Sequence, residues 1–190
     1  MSIICGAIKN GVVAISSDTL QSYGSIKISS SHIKNSNKLY SVNGSVIGIV
    51  GWNAISDMIE HLIINDKKVF KLSNRMEIFS TLKELHKKMK DEYYIETKED
   101  EDDQPVESSQ LEALIINKYG LFEIGSYREV NEFNTFWAIG SGQKIALGAM
   151  HSLYGNKITA RAIVEAGVKA AAEFNDSCSL PLNTKTIKLA

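Results

Sequence analysis

The sequence predicts an α+β fold in which two antiparallel sheets lie between helix pairs, a four-layer αββα sandwich. Three observations lead there. The first fifty residues alternate short apolar runs with tight-turn signals, the period then becomes helical twice in succession, and a second round of strands is again followed by two helices. Antiparallel sheets that each keep one face for a helix pair stack in this layered way.

Each element has a local reason. Ile3 to Ile8 is an apolar strand, Lys9-Asn10-Gly11 a turn, and Val12 to Ser16 a second strand delivering a carboxylate at Asp18. The Ser-rich stretch Gln21 to Asn37 is polar, with one short edge strand expected in Gly24 to Ile28. Lys38 opens a strand, Leu39 to Val42, and Asn43-Gly44 turns it into Ser45 to Val50; Asn-Gly between apolar alternations favours the left-handed turn that hairpins need. Past Gly51, Ile55, Met58, Ile59, Leu62 and Ile63 recur at helical spacing up to Asn65. Asn74 and Glu77 have the spacing of a capping box for a second helix through Ile78, Phe79, Leu82, Leu85 and Met89. Strands follow at Leu111 to Asn117, Leu121 to Ile124 and Phe136 to Ile139. Gly140-Ser141-Gly142 then leads into a helix from Gln143 to Tyr154. Thr159 is the expected N-cap of a last helix, Ala160 to Asn175, and Thr184 to Leu189 the expected closing strand.

Composition narrows the function classes. A chain of 190 residues suits one domain, 1–190, able to bury about 70% of its unfolded surface. Lys and Arg number 21 against 22 Asp and Glu, so no global field favours nucleic acid or an anionic membrane. Two cysteines, Cys5 and Cys178, are too few for a disulfide framework and are expected reduced. The N-terminus lacks the basic and apolar regions of a signal peptide, and no run of about 18 apolar residues occurs. A cytoplasmic location is therefore expected, without membrane or nucleic-acid partners. Glu96 to Glu107, with seven acidic residues in twelve, reads as a solvated loop insertion. The run Asp100 to Asp103 lacks the Gly and spacing of a calcium loop. His32, His61, His86 and His151 show no paired metal spacing, and neither a metal nor a cofactor is expected. Cys5, inside the first strand, reads as core.

Ser2 supplies the chemical lead. Were Met1 trimmed, Ser2 would carry a hydroxyl and a free amine on one residue, close to a strand ending in Asp18. An α-amine with a reference pKa near 8 can accept a hydroxyl proton at neutral pH, so no histidine is required. The stretches Lys9 to Asp18, Val46 to Gly51 and Ala138 to Gly142, in this order, together with a late Asp176, resemble the N-terminal nucleophile hydrolases of the proteasome β-subunit and HslV type. The resemblance spans nearly the whole chain.

It implies that Met1 is removed and that Ser2 stands where the family has its N-terminal threonine nucleophile. It implies that Asp18 holds a lysine and orients the terminal residue; Lys38 is favoured for that lysine, with Lys27 and Lys34 as competitors. Gly51 would offer an oxyanion-hole N–H, although a glycine between strand and helix is equally a turn residue. Ser141, Asp176 and Ser179 would complete the polar network. The sequence departs from the family in having Ser for Thr, Ile3 for a second Thr, Gln143 for a second Ser and Trp52 beside Gly51, where it could narrow the cleft. The activity implied is an endopeptidase acting on peptides or unfolded proteins inside a homo-oligomeric ring, with an ATP-dependent unfoldase as candidate partner. The alternatives are a small-amide hydrolase on the same fold and an inactive ring subunit that retains Met1.

Overall fold

The computed structural model describes residues 2–98 and 104–190. Met1 and the acidic run Asp100 to Asp103 thus lie outside the described residues. Strand β1 (Ile3–Lys9) turns through Asn10 (φ 52°) and Gly11 (φ 71°) into β2 (Val12–Asp18). Asn43 (φ 48°) and Gly44 (φ 78°) make the same left-handed turn between β5 (Leu39–Val42) and β6 (Ser45–Val50). Two positive φ values in succession match the right-handed twist of the flanking strands. Where one edge strand was expected, β3 (Gln21–Tyr23) and β4 (Ile26–Ile28) form a separate two-stranded hairpin.

Helix α1 (Asn53–Asn65) follows Gly51, and α2 (Arg75–Tyr93) starts at Asn74, whose Oδ1 accepts the Met76 and Glu77 N–H groups at 3.0 Å each. The returning bond from Glu77 goes one residue earlier than in the standard box, to the Ser73 N–H (3.3 Å). Phe79 is 40% exposed, since it neighbours the buried Ile78 and adjacent helical residues cannot share a face. Strands β7 (Glu112–Asn117) and β8 (Gly120–Ile124) were expected, whereas β9 (Val130–Phe133) was not. Asn131 and Glu132 of β9 are exposed on a sheet edge, so its pattern carries little apolar signal. Strand β10 (Phe136–Gly140), α3 (Gln143–Tyr154) and α4 (Ala160–Phe174) follow, with the Thr159 hydroxyl capping the Ala162 N–H (3.1 Å). Strand β11 (Leu182–Lys188) closes the fold, starting two residues and ending one residue earlier than expected, and pairs along β2.

The strands form two antiparallel sheets, ordered β5-β6-β7-β8-β9 and β10-β1-β2-β11. Ile4, Val13 and Ile15 of one meet Leu39, Val46, Leu114 and Leu121 of the other in the inner core. The opposite faces carry the helices: α1 and α2 pack on Ile47, Ile49, Ile115 and Phe122, and α3 and α4 on Ile3, Cys5, Ala7 and Ala14. Both faces of β1 and β2 are therefore buried, which is why these strands read as apolar runs without clean alternation. This is the four-layer αββα sandwich.

Candidate active site

The beginning of β1 and the ends of β2, β6 and β10 meet at one end of the sandwich. Register does this: Ile3 pairs with Gly140 and Ile4 with Ser17, which sets Ser2 between the two strand ends. Asp18, fully buried, organises the floor. Its Oδ1 accepts the Ile3 N–H at 3.0 Å and the Lys38 ammonium at 2.7 Å, and its Oδ2 accepts the N–H groups of Leu20 (3.2 Å) and Ser179 (3.4 Å). A buried carboxylate needs such donors, because desolvation without them would cost several kcal/mol.

Lys38 is buried too, and gives a second bond to the Leu20 carbonyl at 2.7 Å. Burial pushes its pKa below the ordinary lysine value, with the Asp18 charge and hydrogen bond acting in the opposite direction. Lys27 and Lys34 are exposed, so the lysine bonded to Asp18 is Lys38.

Gly51 leaves β6 at φ 104°, a backbone region open to glycine, and lines one cleft together with Ser2 and Lys38. Trp52, at the N-cap of α1, is 71% exposed and projects outward instead of narrowing that cleft. On the other side, the Ser141 hydroxyl donates to the Ser2 carbonyl at 3.2 Å. Gly140, at φ 98°, lies against that carbonyl so closely that a Cβ there would overlap the oxygen.

The late polar run divides. Ser179 reaches Asp18 through its backbone N–H, while its hydroxyl donates to the Leu180 carbonyl (3.3 Å). Asp176 is exposed and accepts the Ser177 hydroxyl at 2.9 Å; the structure does not bring it to Asp18. Asn175 and Cys178 join instead. Asn175 Nδ2 donates to the Ser141 carbonyl (3.1 Å), and the Cys178 Sγ lies 3.9 Å from the Ser141 Oγ. Sequence reasoning passed over both, and their signal was the polar run that ends α4. Burial pushes the Cys178 thiol up to about 11 and that of Cys5 higher still, so neither is a ready thiolate. Gln143 turns away from the cleft and donates to the Ala138 carbonyl at 2.8 Å.

The arrangement holds a hydroxyl residue at the start of a strand, over a buried ammonium–carboxylate pair, beside a glycine amide at the mouth of a helix. The family model for the proteasome subunit matches residues 2–189. The chain belongs to the proteasome subunit family. Among solved structures, Thiobacillus denitrificans BPH is 32% identical with a TM-score of 0.92, over 99% of this chain and 98% of that one. The same protein in complex with epoxomicin is 32% identical at a TM-score of 0.90, over 99% of each chain. HslV from Trypanosoma brucei, 17% identical at a TM-score of 0.69 over 98% and 99%, shares the fold. Comparison with curated proteins gives no match. Among the described residues of this proteasome-family chain, no group of three or more His, Cys, Asp or Glu is placed to hold a metal ion, and no helix is long and apolar enough to cross a membrane.

Proposed function

We propose that the protein is a serine-type N-terminal nucleophile endopeptidase, a single domain over residues 1–190 with an acidic insertion at 96–107, active once Met1 is removed. The observation that carries this is the common cleft of Ser2, Lys38 and Gly51 above the buried Lys38–Asp18 pair. A 32% identical relative has been solved in complex with epoxomicin, which supports this reading.

In this mechanism the Ser2 Oγ attacks the scissile carbonyl carbon and its proton passes to the Ser2 α-amine. The carbonyl π bond opens onto oxygen, and the Gly51 N–H stabilises that charge, which exists only in the tetrahedral intermediate. Collapse breaks the C–N bond, and the ammonium of Ser2 returns its proton to the leaving amine. Water repeats the cycle on the ester and frees Ser2. Lys38 acts through field: a cation beside the terminus keeps the amine neutral and favours the developing alkoxide. Asp18 holds Lys38 and, through the Ile3 N–H, the strand that presents Ser2. Ser141 orients the Ser2 carbonyl, and Ser179 steadies Asp18. Asp176 contributes at most through Ser177. The family reading extends to a homo-oligomeric ring in the cytoplasm fed by an ATP-dependent unfoldase, since a guarded chamber is what makes an unspecific peptidase tolerable.

Epoxomicin treatment of the purified protein, followed by intact mass and peptide mapping, tests this. The expected product lacks Met1 and carries one adduct, on Ser2, that Ser2→Ala abolishes. An adduct elsewhere, or a protein that keeps Met1, overturns it.

A further inference from the structure

Strands β2 and β11 run side by side up to the site, where Leu182 is in register with Asp18. The next pair along would be Thr19 with Pro181. Proline has no N–H to give, so a regular ladder stops there. A side chain carries the tie one step further. The hydroxyl of the buried Thr19 donates to the Pro181 carbonyl at 2.7 Å, a closer contact than the 3.5 Å from the Thr19 N–H to the Ser179 carbonyl. Together these two bonds hold the segment from Ser179 to Pro181 against the residue that follows Asp18. The Asp18 carboxylate depends on where that segment lies. Its Oδ1 takes the Ile3 N–H and the Lys38 ammonium, and its Oδ2 takes the Leu20 N–H at 3.2 Å and the Ser179 N–H at 3.4 Å. Leu20 is two residues from Asp18 and moves with it. Among the described residues the Ser179 N–H is therefore the donor, from a distant part of the chain, that fixes Oδ2 and with it the plane of the carboxylate.

We propose that Thr19 is a positioning residue of this site: its hydroxyl, through the Pro181 carbonyl, keeps the Ser179 N–H on Asp18 and so sets the carboxylate that holds Lys38 and the start of β1 beside Ser2. Its effect on turnover rests on the peptidase reading; the coupling from Thr19 to Ser179 does not. At 3.4 Å the Ser179 bond is already long, and a hydrogen bond of that length is lost with a small further displacement. Threonine suits the task because its β-branch restricts χ1, which keeps the hydroxyl in place for one acceptor. Valine has the same branching and nearly the same volume but no donor, and it would leave the Pro181 carbonyl facing a methyl group without a partner. Serine keeps the donor and gives up only the methyl.

Two readouts on Thr19→Val and Thr19→Ser test this, one of them independent of activity. Amide hydrogen exchange at Ser179, followed by NMR, should be about tenfold faster in Thr19→Val than in the wild type. Epoxomicin inactivation, taken to saturation, should show a covalent step about tenfold slower in Thr19→Val, with the half-saturating concentration unchanged. Thr19→Ser should restore both. Should the valine protein not fold, Thr19→Ala serves as the hydroxyl-free variant, since it leaves room for water at the carbonyl. A role in stability alone would lower the denaturant midpoint while the folded Thr19→Val protein kept the wild-type Ser179 exchange and covalent step. That result, or a serine variant that restores neither readout, overturns the inference. A wild-type protein that epoxomicin does not label at Ser2 removes the peptidase reading, and Ser179 exchange then decides the positioning role by itself.

Discussion

The two outer layers of the sandwich are built from different side chains and do different work. Over the five-stranded sheet, α1 and α2 bury Ile55, Ile59, Leu62, Ile78, Leu82, Leu85 and Met89 against Ile, Leu and Phe. Over the four-stranded sheet, α3 and α4 bury Ala146, Ala160, Val164, Val168 and Ala171 against Cys5, Ala7 and Ala14. Small side chains let these elements approach closely: a Cβ on Gly142, at the N-cap of α3, would lie 2.7 Å from the Ala171 Cβ of α4 and 3.3 Å from the Ile3 Cβ of β1. Ser141, Asn175, Cys178 and Ser179 all hang from that second layer around Ser2 and Asp18. The first layer is where apolar burial is concentrated. The second is where position is controlled, and between them the Lys38–Asp18 bond ties the two sheets together at the site.

The largest effect should come from that tie. Lys38→Met strands a buried carboxylate, costing about 3–5 kcal/mol; denaturant titration should show it, with peptide turnover lost in the fraction that stays folded. An intact stability would mean that Asp18 finds other compensation. In the aliphatic layer, Leu85→Ala should cost about 2–5 kcal/mol while the folded protein keeps its wild-type rate of epoxomicin labelling at Ser2. A drop in that rate would erase the distinction between the layers.

Gly142→Val is the reverse experiment. Overpacking should cost about 1–3 kcal/mol, less than Leu85→Ala at its upper end, yet turnover should fall further because Ile3, Ala171 and Cys178 must shift around the new side chain. Equal activity losses in the two variants would sink the contrast. The smallest effect is with pH. Burial lowers the pKa of Lys38 from its ordinary 10.5, so between that lowered value and 10.5 the unfolded chain holds a proton that the folded one releases. The contribution of Lys38 to stability therefore rises with pH through this window, while turnover, which in the proposed mechanism relies on the ammonium form, should fall in it. Denaturant midpoints and kcat/KM followed from about pH 8 to about pH 11 check both signs, and Lys38→Met should flatten this window in the stability profile.

Much of this was legible in the sequence where the cause is local. The Asn10-Gly11 and Asn43-Gly44 turns were, because few residue pairs tolerate two left-handed conformations in succession. So was the start of α2, because Asn74 satisfies the free amides of its own first turn. Strand β9 was not, since its ordering comes from pairing with β8 and not from its own polar middle. The same holds for the β3–β4 hairpin in a Ser-rich stretch. At the site, Ser2, Asp18 and Gly51 could be chosen by resemblance and position. Lys38 was favoured by the same resemblance, but Lys27 and Lys34 stayed as competitors, because only packing shows which lysine is buried against Asp18.

Local chemistry thus decided the order of elements, the turns, the caps and the presence of a hydroxyl at the head of a strand ending in a carboxylate. These follow from φ preferences and side-chain periods, which act within a few residues. Only the tertiary structure decided that Lys38 bonds Asp18 across twenty residues, that Ser141 reaches the Ser2 carbonyl across 139, and that Ser179 serves through its amide while Asp176 faces solvent. Those contacts depend on sheet register and on how closely a helix rich in alanine approaches its strands, quantities that no short window of sequence contains.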